Sequence, residues 1–311
     1  MAERRGSRKK SRGTEADTPV PARLAVRKTY KLYLGGAFPR SESGRSYPVT
    51  SADGTHLANA SRASRKDARD AVVAARKAFG GWSGRTAYNR GQILYRVAEV
   101  MEGRREQFAA RLVEAGGVTP AEAERTVSAA VDRWVYYAGW TDKYVQVLGG
   151  SNPVAGPFHN HSAPEPTGVV AVFAPQDAPL LGLTSVLAPV IATGNTAVVV
   201  TSEAAPLAAI ELAEVLATSD LPGGVVNLLT GGAGEIGPHL ASHADVNALD
   251  LTGAGEHAVE FERAAATTLT RVLRPGPEAT GGEDAWIGVD PGTSRLTPFL
   301  ETKTVWHPVG V

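Results

Sequence analysis

The run GVVAVFAPQDAPLLGLTSVLAPVIATGNTAVVV, residues 168–200, decides the fold. Val169 to Ala174 is a continuous apolar run, Leu180 to Ala192 is helix-like and closes at Gly194-Asn195, and Ala197 to Val200 is a second apolar run. Apolar runs without alternation mark strands covered on both faces, and a helix between two of them is the crossover that parallel neighbours require. The pattern continues downstream. A helix face passes through Leu207, Ile210, Ala213 and Leu216, with Glu211 and Glu214 off that face. Val225 to Leu229 is a third strand, Glu235 to Ser242 a short helix, and Ala248 to Leu251 a fourth strand. This alternation predicts a doubly wound, Rossmann-like α/β domain built on a parallel sheet.

Upstream of this block the periodicity is that of helices. A short strand is expected at Lys31-Leu32-Tyr33-Leu34, closed by Gly35-Gly36, and the polar segment from Ser41 to Gly54 is expected to hold turns. Ser64, with Asp67 three residues on, opens a helix whose face carries Val72, Ala75 and Phe79. Leu94, Val97 and Met101 define a second helix, interrupted at Gly103. Phe108 and Leu112 define a third, which stops at Gly116-Gly117. Thr119, Pro120 and Glu122 combine a cap, a first-turn proline and capping-box spacing, and so open a fourth helix through Val127, Ala130, Val131, Trp134 and Ala138. Tyr144 to Leu148, ending at Gly149-Gly150, and a polar return through His159 to Thr167 suggest a projecting antiparallel hairpin. Residues 264–295 read as an irregular connection, and Phe299 to Trp306 as a strand. The expected organisation is a disordered basic tail over 1–28, one domain over 29–263 containing the hairpin at 144–167, the connection, and a terminal strand over 296–311.

Composition bounds the function. The 311 residues contain no cysteine, which excludes thiolate nucleophiles, thiolate metal sites and disulfides. Lys plus Arg (32) equals Asp plus Glu (32), so no whole-molecule field attracts nucleic acid or an acidic membrane, and neither is an expected partner. No apolar run reaches the length of a bilayer span, and the basic start from Met1 to Arg12 has no apolar core behind it. A cytoplasmic location is the expectation.

Candidate site residues fall at strand ends. Pro175, Gln176 and Asp177 follow the first parallel strand, where open α/β sheets bind ligands; Asp177 reads equally as a site residue and as a helix cap. Gly232 to Gly237, including Gly234, fits G-x-G-x-x-G, whose backbone N–H groups can hold a pyrophosphate. It follows a third strand rather than a first, which favours a plain tight turn. Thr252-Gly253-Ala254 is a further strand-to-helix turn. His159 and His161 share a loop without a third ligand at metal spacing, so no metal site is expected. Neither G-x-S-x-G nor a P-loop occurs.

In order along residues 30–257, Leu34-Gly35-Gly36, Tyr136 to Lys143, Glu165 to Val170, Leu187-Ala188-Pro189, Gly194-Asn195-Thr196, Leu221 to Asn227 and Leu251-Thr252-Gly253 resemble the aldehyde dehydrogenase superfamily. Phe299 to Trp306 resembles its final oligomerisation strand, which the resemblance pairs with the 144–167 hairpin of a neighbouring subunit. The resemblance implies an NAD or NADP site touching Pro175, Gln176, Asp177, Glu203, Gly234, Thr252, Gly253 and Ala254. It also shows departures. Asp177 stands at the position of the oxyanion-hole asparagine, where a carboxylate repels a developing oxyanion. Val200 replaces a ribose-contacting lysine and Ala254 a pyrophosphate-contacting serine, while the ribose-contacting glutamate is kept as Glu203. Cofactor binding is therefore expected to be weakened or lost. The nucleophile, general base and catalytic domain have no counterpart after residue 257. The expectation is a non-catalytic structural or regulatory subunit that forms a homo- or hetero-oligomer with an aldehyde dehydrogenase paralogue. The alternatives are an oxidoreductase that transfers hydride without a thioester, and a nucleotide sensor.

Overall fold

The computed structural model describes residues 26–310. Most of the expected basic tail therefore lies outside the described residues. In chain order the elements are β1 (Thr29–Tyr30), β2 (Ser46–Thr50), β3 (His56–Ser61), α1 (Arg65–Ser83), α2 (Ala87–Glu102), α3 (Arg105–Ala115), α4 (Pro120–Trp140), α5 (Tyr144–Leu148), β4 (Gly150–Asn152) and β5 (Phe158–Pro166). There follow β6 (Val169–Phe173), α6 (Leu181–Ala192), β7 (Thr196–Val200), α7 (Leu207–Ala217), β8 (Val226–Leu229), α8 (Ala233–Ala241), β9 (Ala248–Asp250), α9 (Ala258–Ala265), β10 (Arg271–Leu273), α10 (Gly282–Ile287) and β11 (Leu300–Pro308).

The central sheet has the order β10-β9-β6-β7-β8, and every neighbouring pair is parallel. Side-chain alternation along its strands feeds two cores. Val170, Val172 and Val199 point into one built from α2, α3, α4, α6 and α7. Val169, Ala171, Phe173 and Val198 point into the other, with Val72 and Ala75 of α1, Ile236 and Leu240 of α8, and Phe261 of α9. Helices thus cover both faces, as the unbroken apolar runs predict. The chain leaves β6 toward β7 and β8, then returns to β9 on the other side, so the strand order reverses at β6/β9.

Local chemistry accounts for the helix starts. Ser64 and Asp67 close a full capping box on α1, and Thr119 and Glu122 do the same on α4. Asp67 is buried because it also accepts from Ser41 Oγ at 2.7 Å, which ties the turn before β2 to α1. Asn227 joins two of the sequence landmarks, accepting from Gly35 N–H at 2.9 Å and donating to the Gly224 carbonyl at 2.8 Å. Gly36 lies against Gly223 so closely that a Cβ would come within 2.8 Å of the Gly223 Cα.

Several expectations change. Tyr144 to Leu148 is a helix, not a strand, and the hairpin is β4 with β5. The paired strand near the start is Thr29–Tyr30, and Tyr33 and Leu34 make only isolated bridges. The Ser41–Gly54 segment contains β2, which pairs with β3. Glu211 is buried rather than off the packed face, because Arg111 of α3 reaches it at 2.8 Å. The connection over 264–295 carries β10 as a fifth parallel strand and α10, whose Trp286 is fully buried. The terminal strand β11 pairs with β5 of its own chain over its whole length, from Leu300 opposite Pro166 to Pro308 opposite Phe158.

Candidate functional site

All the sequence-predicted residues lie at the carboxyl ends of the parallel strands, but in two groups. Gln176, Asp177 and Glu203 border a cavity of about 570 Å³. Its other walls come from Val49 and Leu57 of the first sheet, Leu112 of α3 and Leu207 of α7. Gln176 braces this edge. Its Oε1 accepts from Glu203 N–H at 3.0 Å, its Nε2 donates to the Ala174 carbonyl at 2.9 Å, and its own carbonyl accepts from Ser202 Oγ at 2.7 Å. Glu203 is half exposed and pairs with Arg62 at 3.1 Å. Arg62 also reaches Glu235 at 3.5 Å, and the Arg45 hydrogen bond holds that carboxylate below its usual range.

The second group sits at the β6/β9 reversal. Pro175 is buried against Gly182. Gly253 passes the end of β6 so tightly that a Cβ would lie 1.8 Å from the Ala174 carbonyl oxygen, and Gly253 N–H donates to the Phe173 carbonyl at 2.8 Å. Thr252 N–H donates to Asp250 at 3.0 Å, and its hydroxyl also donates to that carboxylate. Ala254 is buried in the second core and offers no polar group. Gly234 stands beside His257, where a Cβ would approach Nε2 to 2.9 Å; His257 stacks on Phe261, which packs against Gly237. The glycines of the G-x-G-x-x-G segment therefore admit close side chains from the start of α9 and the residue that caps it.

Asp177 acts as a cap, though not of the helix that follows it. Its Oδ2 accepts from Gly281 N–H and Gly282 N–H, each at 3.0 Å, at the start of α10. The first turn of α6 is capped instead by Glu283, which accepts from the N–H groups of Leu180 (2.8 Å), Leu181 (3.0 Å) and Gly182 (3.3 Å). Burial pushes the Glu283 carboxyl up to about 7, against the lowering effect of those bonds. Arg295 pairs with Asp250 at 3.2 Å and Glu278 at 2.6 Å and donates to Thr252 Oγ1 at 3.3 Å. Burial raises the Asp250 pKa while Arg295 opposes the rise. Sequence reasoning missed Glu283, Arg295 and Asp250. Only Asp250, an acid closing an apolar strand, carries a local signal. Among the described residues no group of three or more His, Cys, Asp or Glu is arranged to hold a metal ion, and no helix is long and apolar enough to cross a membrane.

A doubly wound domain with glycine turns at the ends of its strands is a nucleotide-binding α/β architecture, here preceded by helices and joined to a small projecting sheet. The family model described as aldehyde dehydrogenase family matches residues 38–289, and the chain belongs to that family. It is 34% identical over 242 residues to the cytosolic 10-formyltetrahydrofolate dehydrogenase of Mus musculus, covering 75% of this chain and 26% of that protein. Among solved structures it is similar to the NAD+ complex of aldehyde dehydrogenase from Bacillus cereus. The TM-score is 0.74 at 28% identity, with 79% of this chain and 50% of that one covered. It is also similar to betaine aldehyde dehydrogenase from Staphylococcus aureus in complex with NAD+, with a TM-score of 0.76 at 27% identity, over 80% of this chain and 50% of that one. The chain thus spans about a quarter of the formyltetrahydrofolate relative and about half of these structural relatives.

Proposed function

We propose that this protein is a non-catalytic member of the aldehyde dehydrogenase family, a structural or regulatory subunit that assembles with an intact paralogue. The observation that carries this reading is the β11-β5-β4 sheet. Among the described residues β11 is paired along one side only, and its nine residues leave an open outer edge. Unpaired strand edges of that length template association, and a protein that keeps one needs a partner to cover it. Residues 274–299, which lead from β10 to β11, form one short helix and turns rather than a second α/β domain. With no cysteine in the 311 residues, acyl-thioester chemistry has no nucleophile.

The cofactor reading follows from the strand ends. NAD or NADP binding is weakened or lost, because Val200 and Ala254 are buried apolar residues and Glu203 is committed to Arg62. Assembly is tested by co-expressing the chain with an intact aldehyde dehydrogenase and measuring the mass of the eluted species by light scattering. A stable complex is expected. Trp306→Asp, on the exposed face of β11 where the ring meets Phe158 at 5.8 Å, should abolish it without changing the circular dichroism. A lone monomer that leaves the enzyme's turnover untouched would refute the assembly. NAD-dependent turnover of any carbonyl substrate by the purified chain would favour the thioester-free oxidoreductase.

A further inference from the structure

Residues 276–295 lie across the carboxyl ends of β6 and β9; besides the core packing of Trp286 and the Arg133 bonds to the Trp286 and Val289 carbonyls, three polar anchors hold them there. The Glu283 carboxylate sits on the open first turn of α6, taking the N–H groups of Leu180, Leu181 and Gly182. In exchange, Asp177 takes the N–H groups of Gly281 and Gly282 at the start of α10. Further on, the guanidinium of Arg295 lies 5.1 Å from the Trp286 ring and bonds Asp250, Thr252 and Glu278. Two of these anchors, Asp177 and Thr252, are turn residues on either side of the strand-order reversal, where a doubly wound sheet binds its ligand.

The N-terminus of a twelve-residue helix with no side-chain cap of its own attracts an anion, and here the chain supplies one from about a hundred residues away. Other features work against the closed arrangement. Trp286 Nε1, on α10 itself, is buried without a partner. Glu283 is also withdrawn from water. An unmade buried bond and a desolvated carboxylate both penalise closure. Over residues 276–285 the segment is thus tied by exchangeable polar contacts, while Trp286, Leu296 and Phe299 fix the remainder in the main core.

We propose that residues 276–285 form a displaceable strap, with Glu283 as an internal ligand of α6, that closes the β6/β9 crevice and must release before a dinucleotide can enter. This rests on the reading that the crevice keeps some affinity for a nicotinamide cofactor. The test is hydrogen exchange on the full chain, combined with NAD titration followed by tryptophan fluorescence. In the unaltered protein, the amides of Leu180 to Gly182 and of residues 281–285 should exchange together, and faster than the later turns of α6. Glu283→Ala should speed both sets at least tenfold, leave β6 and β7 protected, and tighten NAD binding at least fivefold. Arg295→Gln loosens the other anchor and serves if the first variant does not fold. Glu283→Gln, which keeps an acceptor oxygen, should stay near the parent at pH 5, where the parent's carboxyl is still protonated. If the strap amides in both loosened variants exchange only with global unfolding, the strap is a fixed part of the core and the proposal fails. It also fails if the strap is freed and NAD affinity does not rise, including the case in which no variant binds NAD. The assembly reading, judged on oligomeric state, would survive either result.

Discussion

Glu283 shows how a single carboxyl couples the chemistry of the fold to pH. An ordinary glutamate titrates near 4.5, and burial raises this one to about 7 although three N–H groups favour its charged form. A group whose native pKa is raised holds its proton more tightly folded than unfolded. Its contribution to stability is therefore complete below about 4.5 and is lost as pH rises through about 7. A shift of that size corresponds to roughly 3 kcal/mol across the window. Denaturant midpoints measured from pH 4 to 8 should fall with pH in the parent by about that amount relative to Glu283→Gln, which cannot titrate. Parallel curves for the two proteins would show that burial does not control this carboxyl. Gly253 illustrates a different limit. A Thr-Gly turn after a strand suggests a phosphate contact, yet the 1.8 Å that a Cβ would leave to Ala174 is already a sufficient reason for glycine. The residue is legible as required, but the packing that requires it is not legible from the sequence.

Elements were readable wherever their evidence was local. The continuous runs at β6, β7 and β8 and the caps of α1 and α4 state their structures within a few residues. The capping box of α4 can be tested directly. Thr119→Ala removes the acceptor for Glu122 N–H and should cost about 1 kcal/mol. Because α4 packs on α2, α3 and α6, that loss should appear as a lower midpoint for global unfolding rather than as local fraying. An unchanged midpoint would mean that packing alone sets this helix start. Other elements depend on distant partners. β2 and β3 carry Ser, Thr, His and Asn and are strands because they pair with each other. Tyr144 to Leu148 has strand-forming valines, yet Tyr144 is drawn into the core by the Thr193 carbonyl and Arg90, and the segment stays helical. β10 is three residues long and takes its place from the edge of β9. In the candidate site, the turn positions after the strands were legible from the doubly wound rule. Their actual partners, Glu283 and Arg295, arrive from a segment without periodicity.

At the scale of the whole molecule, the proposed non-catalytic reading rests on several linked features, and this decides what adding a thiol should achieve. Asp177, which the family resemblance sets at the oxyanion-asparagine position, accepts two N–H groups as a cap, and a carboxylate there offers no donor to a tetrahedral intermediate. The space above it is crossed by the start of α10, and the Thr252 turn is bonded by Arg295. A nucleophile works only when it, the oxyanion donors and a general base converge on one carbonyl within about 3 Å. Residues 274–299 form no second domain to bring them together. We therefore expect Asp177→Asn, combined with one cysteine placed in turn at Gly281, Gly282 or Ala285 beside it, to give no NAD-dependent aldehyde oxidation above the parent. The thiol itself should titrate normally with a disulfide reagent. That second measurement separates an absent thiol from a present but idle one. Thiol-dependent NADH production in any of these variants would mean that the crevice still aligns a carbonyl with a nucleophile and a cofactor. It would return this chain to the catalysts of its family.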